Sequence, residues 1–325
     1  VGMELIRTIG PRMGFREWEV DVLVAMCKHH LLLPDVATRR DLDDEDTIRA
    51  VADAVGSIEV LHLLHALTEA DSIATGPAAW SGWKAGLVRD LAARTEFLLR
   101  GGDTSELPRT FPTDDQLAAM RLGTEIVKGE GNMLSVTTPD RPGVVSRIAG
   151  AVSLNGLDVH EAAVHTDFGI ALAEFRVEST IEGDIDWPKV CASVKAAILG
   201  RVAVAARLAD RVRTYGSASM RPSGQRMVDT AIKVDNETSS VSTVIEVSAP
   251  NGIGLLYQLT RAFSALDLNI SSAKVQTLGE DVVDSFYVRD RDGEKNFDTH
   301  YLNEIERAIR HAIQRTFAPL QERNG

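Results

Sequence analysis

Thr138-Pro139-Asp140-Arg141-Pro142-Gly143-Val144-Val145 is the stretch of this 325-residue chain whose residue types best suit a small charged molecule. An apolar strand pattern runs into it and a helical pattern leaves it. Such a turn presents the unsatisfied backbone N–H groups of a helix start, and those suit a carboxylate. Asp140 offers a negative charge to an ammonium group, and Gly143 lets a ligand or a neighbouring strand come close. A free amino acid carries both of those charges. The same spacing also describes an ordinary strand-to-helix turn with its cap, so the ligand reading rests on the surrounding elements.

Those elements recur. Met133–Thr138 reads as a strand and Gly143–Leu154 as a helix with apolar residues at Val144, Val145, Ile148 and Val152. Strands follow at Leu157–Val164 and Ile170–Val177, then a helix at Trp187–Leu199 and a last strand at Arg201–Ala206. The order β-α-β-β-α-β is the split βαβ of ferredoxin-like folds. It returns as strand Thr243–Ser248, helix Gly254–Ala265, strands Leu268–Gln276 and Val282–Val288, and helix Phe297–Phe317. An offset of 111 residues carries Gly143 onto Gly254, Pro139 onto Pro250, Leu157 onto Leu268 and Phe175 onto Phe286. Between 136 and 177 it yields 11 gapless identities, where average composition gives roughly two or three. A duplication explains this.

Ahead of the repeat, residues 1–102 read as helical, with turns at Gly10-Pro11, Pro34-Asp35 and Gly76-Pro77. Asp41-Leu42-Asp43-Asp44-Glu45-Asp46 places carboxylates at the positive end of the helix that follows. Trp80 and Trp83 lie three apart and are expected to pack in a helical core. The fold class is α+β. The expected division is a helical region over 1–102, a polar connector over 103–131, one module over 132–210, a linker over 211–228 and a second module over 229–320.

On these residues the chain resembles two known groups. Strand-Asp140-Arg141-Pro142-Gly143-helix, with Asn155-Gly156-Leu157-Asp158-Val159 opening the next strand, resembles an ACT domain, a βαββαβ module that binds amino acids, usually between two copies. Ala249-Pro250-Asn251-Gly252-Ile253-Gly254-Leu255-Leu256, with Leu268-Asn269-Ile270, fits the same pattern. It departs where Asn251 replaces Asp, Gly252 replaces Arg and Ile253 replaces Pro, and Asn251 brings no charge to an ammonium group. The resemblance implies an effector site at Asp140, Arg141, Gly143, Val144, Asn155 and Asp158, and at Asn251, Gly252, Gly254, Leu255 and Asn269.

Three further blocks resemble the end of the HD phosphohydrolase domain and the last ACT module of bifunctional uridylyltransferase/uridylyl-removing enzymes, which modify PII signal proteins. They are Lys28-His29-His30-Leu31-Leu32-Leu33 with Ala37–Asp41, Leu67–Pro77 with Trp80–Lys84, and Ser272–Glu280 with Val283–Val288. The resemblance implies a C-terminal portion of such an enzyme: the tail of an HD domain followed by two ACT modules that sense L-glutamine, with PII as protein partner and Mg or Mn used by the intact enzyme. The absence of Met at position 1 fits that expectation. By the same resemblance Asp71 matches a late metal-binding Asp, and His29 or His30 match auxiliary histidines. Adjacent helical residues point about 100° apart, so at most one of the two is expected to face a metal.

The rest is exclusion. No His-Asp dipeptide, P-loop or GxGxxG fingerprint is present, and no Ser or Cys nucleophile motif. Asp41-Leu42-Asp43 and Asp184-Ile185-Asp186 have DxD spacing without a Gly-Ser partner and read as acidic helix starts. His160 and His165 have no acid–nucleophile partner in sequence and read as structural, or as lining an effector pocket. Cys27 and Cys191 are too few for a disulfide framework or a CxxC site and fit a reducing cytoplasm. The net charge of −12 and the short basic runs disfavour nucleic acid, and no apolar run approaches the ~20 residues of a membrane helix. A rival reading shares the effector but not the enzyme: a stand-alone amino-acid-responsive regulator that binds a partner protein and catalyses nothing.

Overall fold

A computed structural model describes the chain apart from residues 77–79, 81, 104–105, 108–110, 181–182, 216–229, 279–280 and 322–325, and apart from the side chains of 83, 215, 276–278 and 318–321. Two compact units divide it, Val1–Thr110 and Phe111–Gly325.

Caps and apolar stripes account for the first unit. It holds α1 (Gly2–Ile9), α2 (Glu17–His29), α3 (Leu32–Arg39), α4 (Glu45–Val55), α5 (Ile58–Thr75) and α6 (Gly82–Leu99). The acidic run before Thr47 starts a helix as expected: Asp44 is the N-cap of α4 and accepts from the Asp46 amide. Gly56 ends that helix in the left-handed region, and Ser57 caps α5 through the Val60 amide. Leu33, Ile48, Val51, Leu61, Leu64, Val88 and Leu91 form the core. Arg94 is buried beside it and is held by Asp43 at 3.3 Å and Asp90 at 3.1 Å, so the first DxD acid has a structural partner. Trp80 packs against this core from a bend just before α6; the Trp83 side chain and Pro77 lie outside the described residues.

The second unit begins with α7 (Asp114–Arg121) and then carries the two modules. Module 1 comprises β1 (Ile126–Glu130), β2 (Met133–Pro139), α8 (Val144–Leu154), β3 (Leu157–Asp167), β4 (Ile170–Ser179), α9 (Trp187–Ile198) and α10 (Val204–Tyr215). Module 2 comprises β5 (Ala231–Asp235), β6 (Thr243–Pro250), α11 (Leu255–Ala265), β7 (Asn269–Leu278), β8 (Asp281–Arg289) and α12 (Thr299–Gln321). All eight strands form one antiparallel sheet in the order β1-β2-β4-β3-β7-β8-β6-β5.

The α+β class and the two ferredoxin-like modules stand, but the order of elements within a module differs from expectation. The strand expected at Arg201–Ala206 is not formed; α10 begins there instead. Its buried residues Val204, Leu208 and Val212 recur every four positions, and that helical period outweighs the short apolar run Val202–Ala206. The sheet edge beside β2 is taken by β1, from within the stretch read as a connector. Gly131-Asn132 closes the β1–β2 hairpin, with Gly131 at φ 56°, as two-residue hairpin turns require. The connector therefore carries α7 and β1, and α10 reaches into the stretch read as a linker, whose remainder lies mostly outside the described residues.

The strand order is a palindrome. The 111-residue offset maps β2, β3 and β4 onto β6, β7 and β8, and α8 onto α11 without remainder. At the joint, Ala162 pairs with Ala273, its own repeat equivalent, while Glu161 pairs with Lys274 and Ala163 with Ser272. The modules are thus related by a pseudo-twofold axis through the Ala162–Ala273 pair. Both inner strands carry a bulge at the equivalent place, His160 in β3 and Ser271 in β7. One core runs under both modules, with Ile148 and Val152 of α8 and Leu259 and Phe263 of α11 among its buried residues.

Candidate functional site

The turns that the sequence singles out have the same backbone in both modules. Gly143 (φ 78°) and Gly254 (φ 81°) are the N-caps of α8 and α11, both left-handed. The Val144 amide donates to the Arg141 carbonyl at 3.0 Å, and the Leu255 amide to the Gly252 carbonyl at 3.0 Å. A left-handed cap strains any residue with a Cβ, and the chain places glycine there twice. Their surroundings differ. A Cβ on Gly252 would meet the Phe317 ring at 2.8 Å and Thr316 at 3.1 Å, and one on Gly254 would meet Leu208 at 3.2 Å. The module 2 turn is therefore clasped by α12 of its own module and α10 of the other.

A cleft of about 50 Å³ lies between that turn and module 1. Ala149 and Ser153 of α8 and Leu157, Asp158 and Val159 of β3 line one side. Asn251, Gly252, Gly254, Leu255 and Leu256 line the other, with Val275, Val282 and Asp284 of the sheet closing it. Five of the residues read from the sequence as effector-binding meet here: Asp158, Asn251, Gly252, Gly254 and Leu255. Asp140, Arg141, Gly143, Val144, Asn155 and Asn269 do not line it. Asp140 and Arg141 are exposed, and the Asp140 amide donates to the Gly169 carbonyl at 2.9 Å. Val144 is buried in the core. Asn155 caps the end of α8, its Nδ2 donating to the Ala151 carbonyl at 2.7 Å. Asn269 donates through Nδ2 to the Asp290 carbonyl at 3.3 Å.

The pseudo-twofold axis explains this grouping. It sets the turn of one module against the start of the inner strand of the other, so Asn251 faces the side that holds Asp158, and Asp140 belongs with Asn269. Asn251 carries no charge, and Asp158 brings a carboxylate to the same cleft from across the joint. Partial desolvation pushes the Asp158 carboxyl above the usual range; nearby Glu178 adds to this and His160 opposes it. His160 hydrogen-bonds Glu178 at 2.9 Å and does not line the cleft. Asp284 is not among the residues the sequence singles out. It is 2% exposed, and its signal was an acid in the apolar alternation Val282, Asp284, Phe286, where the repeat equivalent is Ala173.

The metal-type residues in the first unit do not assemble. His29 ends α2, where desolvation, aided by Lys28, lowers its pKa. His30 faces the Cys27 carbonyl at 2.9 Å through Nδ1, and Asp71 lies exposed on α5. Among the described residues no three His, Cys, Asp or Glu side chains gather as a metal site. Asp186 of the second DxD is the N-cap of α9 and accepts from the Lys189 amide at 3.1 Å. No single described helix is long and apolar enough to cross a membrane.

Comparison with known proteins agrees with both resemblances. Residues 238–316 match the family model described as the ACR family N-terminal ACT domain. The bifunctional uridylyltransferase/uridylyl-removing enzyme of Streptomyces coelicolor is 34% identical over 90% of this chain and 41% of its own length. The enzyme of that name from Rhodospirillum rubrum is 31% identical over 97% of this chain and 39% of its own. That of Mycobacterium tuberculosis is 34% identical over 89% and 37%. Nearly the whole chain thus resembles these enzymes, and it spans about two fifths of their length.

Proposed function

We propose that this chain is the glutamine-sensing regulatory portion of a bifunctional uridylyltransferase/uridylyl-removing enzyme, active in the cytoplasm in the control of nitrogen metabolism. The intact enzyme would add nucleotidyl groups to a PII signal protein and remove them hydrolytically, using a divalent metal. The observation that carries the reading is the inter-module cleft, which joins a helix start from one module to a carboxylate from the other. L-glutamine in that cleft would place its carboxylate at the first turn of α11, whose leading amides lack intrahelical acceptors. Its ammonium group would lie toward Asp158, with Asn251 as a hydrogen-bonding neighbour.

The cleft has room for roughly three to five water-sized groups, so a whole amino acid fits only if the modules yield. That links occupancy to the packing of α10 and α12 beside Gly254 and Gly252. An effector shifts an equilibrium by its differential affinity for the two arrangements, and a tenfold bias corresponds to ~1.4 kcal/mol. Titration calorimetry with L-glutamine, using L-glutamate and D-glutamine as controls, tests the reading. Saturable binding of L-glutamine alone supports it; no heat at millimolar ligand counts against it.

A further inference from the structure

Four polar side chains line the inter-module cleft: Ser153, Asp158, Asn251 and Asp284. Asp284 is engaged within the fold, and Asp158 interacts electrostatically with His160 and Glu178. Ser153 is different. A serine or threonine inside a helix can donate its hydroxyl to the carbonyl four residues earlier, as Thr95, Thr260 and Thr316 do in this chain. Ser264, the repeat equivalent of Ser153, donates in the same way to the Thr260 carbonyl at 3.1 Å. Both serines are half-buried, at equivalent places near the ends of α8 and α11. Yet Ser153 Oγ makes no hydrogen bond among the described residues. The carbonyl it forgoes belongs to Ala149, one turn earlier on the same wall of the cleft.

That wall is shaped to take a side chain. Ala149 stands where module 2 has Thr260, so α8 presents a small residue and a hydroxyl one turn apart. With the ligand's carboxylate at the first turn of α11 and its ammonium group toward Asp158, Ser153 and Asn251 are the uncharged groups left to hydrogen-bond the rest of it. Asn251 lies beside the helix start that takes the carboxylate, and Ser153 faces from the opposite wall. The remaining side chains of the lining are apolar. A ligand that fills the cleft displaces solvent from the Ser153 hydroxyl. A polar side-chain end restores a hydrogen bond there, whereas an apolar one leaves a buried donor without a partner and is penalised.

We propose that Ser153 is the specificity residue that reads the end of the ligand's side chain, so that the cleft takes amino acids ending in a hydrogen-bonding group over apolar ones of the same length. The proposal rests on the reading that an amino acid binds in this cleft. One neutral hydrogen bond corresponds to roughly 2- to 12-fold in affinity.

The test titrates the full chain at neutral pH with L-glutamine. L-norleucine, whose side chain has a similar reach and no polar atom, is measured by competition against it. Wild type is compared with Ser153→Ala and Ser264→Ala. In Ser153→Ala, glutamine affinity is expected to fall by roughly 2- to 12-fold, while norleucine affinity holds or rises because the stranded hydroxyl is gone. Ser264→Ala is expected to leave both affinities unchanged, since that hydroxyl is bonded within its own helix. The melting temperature of Ser153→Ala should stay at the wild-type value, as no hydrogen bond of the fold is removed; a merely structural Ser153 would lower it and weaken both ligands alike. Undiminished glutamine affinity in Ser153→Ala, a parallel loss for norleucine, or an equal effect of Ser264→Ala overturns the proposal and leaves the glutamine reading intact. Wild-type chain that binds no glutamine overturns both.

Discussion

Asp158→Asn separates binding from folding, because the two respond to it in opposite directions. The side chain lies at the cleft wall and the substitution conserves its shape, so what is removed is a charge facing the proposed ammonium group. A hydrogen bond to a charged group contributes ~1.5–3 kcal/mol. Asp158 keeps substantial solvent exposure, so the lower end applies, about tenfold in affinity. Stability behaves differently. Desolvation raises the carboxyl pKa in the folded chain, with Glu178 adding and His160 opposing. Between the unfolded and the raised folded pKa the native state binds more protons, so stability falls as pH rises through that window and stays lower above it. At neutral pH the asparagine variant, having no charge to desolvate, is expected to melt no lower than wild type. Wild-type affinity for glutamine should also decline as pH falls through the raised pKa of Asp158, whereas the residual affinity of the variant should not follow that titration. Calorimetric titration between pH 4 and 8 (about the range bracketing a raised carboxyl), paired with thermal melts, reads both quantities. Full affinity in Asp158→Asn, or a loss accompanied by a lowered melting temperature, would refute this reasoning.

Other substitutions probe the neighbouring parts. Asp140→Ala is expected to leave cleft affinity within about twofold, since single charged contacts act over short range and Asp140 lies outside the cleft; a loss matching that of Asp158→Asn would move the effector to the pseudo-twofold equivalent position. In Gly129→Ala the new Cβ would fall 1.8 Å from the Trp187 ring, displacing an indole whose Nε1 donates to the Gly131 carbonyl at 3.1 Å. Overpacking costs ~1–3 kcal/mol and the hydrogen bond ~1, so differential scanning calorimetry should show a melting temperature lower by several degrees, and an unchanged one would mean that α9 does not seat β1. At the joint, Glu161→Ala should cost more in urea unfolding than Lys274→Ala. The first leaves Lys274 and Arg176 without their shared acid, whereas the second leaves Glu161 with Arg176 at 3.6 Å. The double alanine variant should lose less than the two singles together, and strict additivity would mean that the pair is not coupled.

Much of this architecture was legible because it is written in periods. The 111-residue repeat located β2 to β4 and β6 to β8 with ends within three residues, and the apolar spacing from Val144 to Val152 gave α8 its buried face. What escaped was decided elsewhere. β1 is a five-residue strand whose exposure alternates around Val127 and Gly129, and its one clear signal was the Gly131-Asn132 turn. α10 starts inside an apolar run that suits a strand equally well, and only Leu208 and Val212 further on select the helix. The candidate site was half legible for a related reason. Residue type marked Asp140, Asp158 and Asn251 alike, but which of them share a cleft follows from the pseudo-twofold axis. That axis is set by the pairing of β3 with β7, and no local pattern encodes it.

The same axis shows why the two modules are not interchangeable. If two copies of module 2 paired through β7 in this register, each Lys274 would lie against a Ser272, leaving two buried ammonium groups without an acid. Two copies of module 1 would set Glu161 against Ala163 and lose the lysine from both sites. The unlike pair alone brings Glu161 to Lys274, and it also places Asp158 of one module beside Asn251 of the other. A cleft whose acid comes from one module and whose helix start comes from the other can be completed only when the two are docked. Any ligand held there bridges the joint, so its binding free energy acts on module packing, on the faces where Leu208 of α10 and Phe317 of α12 already press against the turn. Two identical modules would have to supply turn and acid from the same sequence twice over. By diverging in opposite directions at Asp140/Asn251 and Asp158/Asn269, the chain gives its two equivalent positions one carboxylate each in this layer, and it sets only one of them against the buried Asp284.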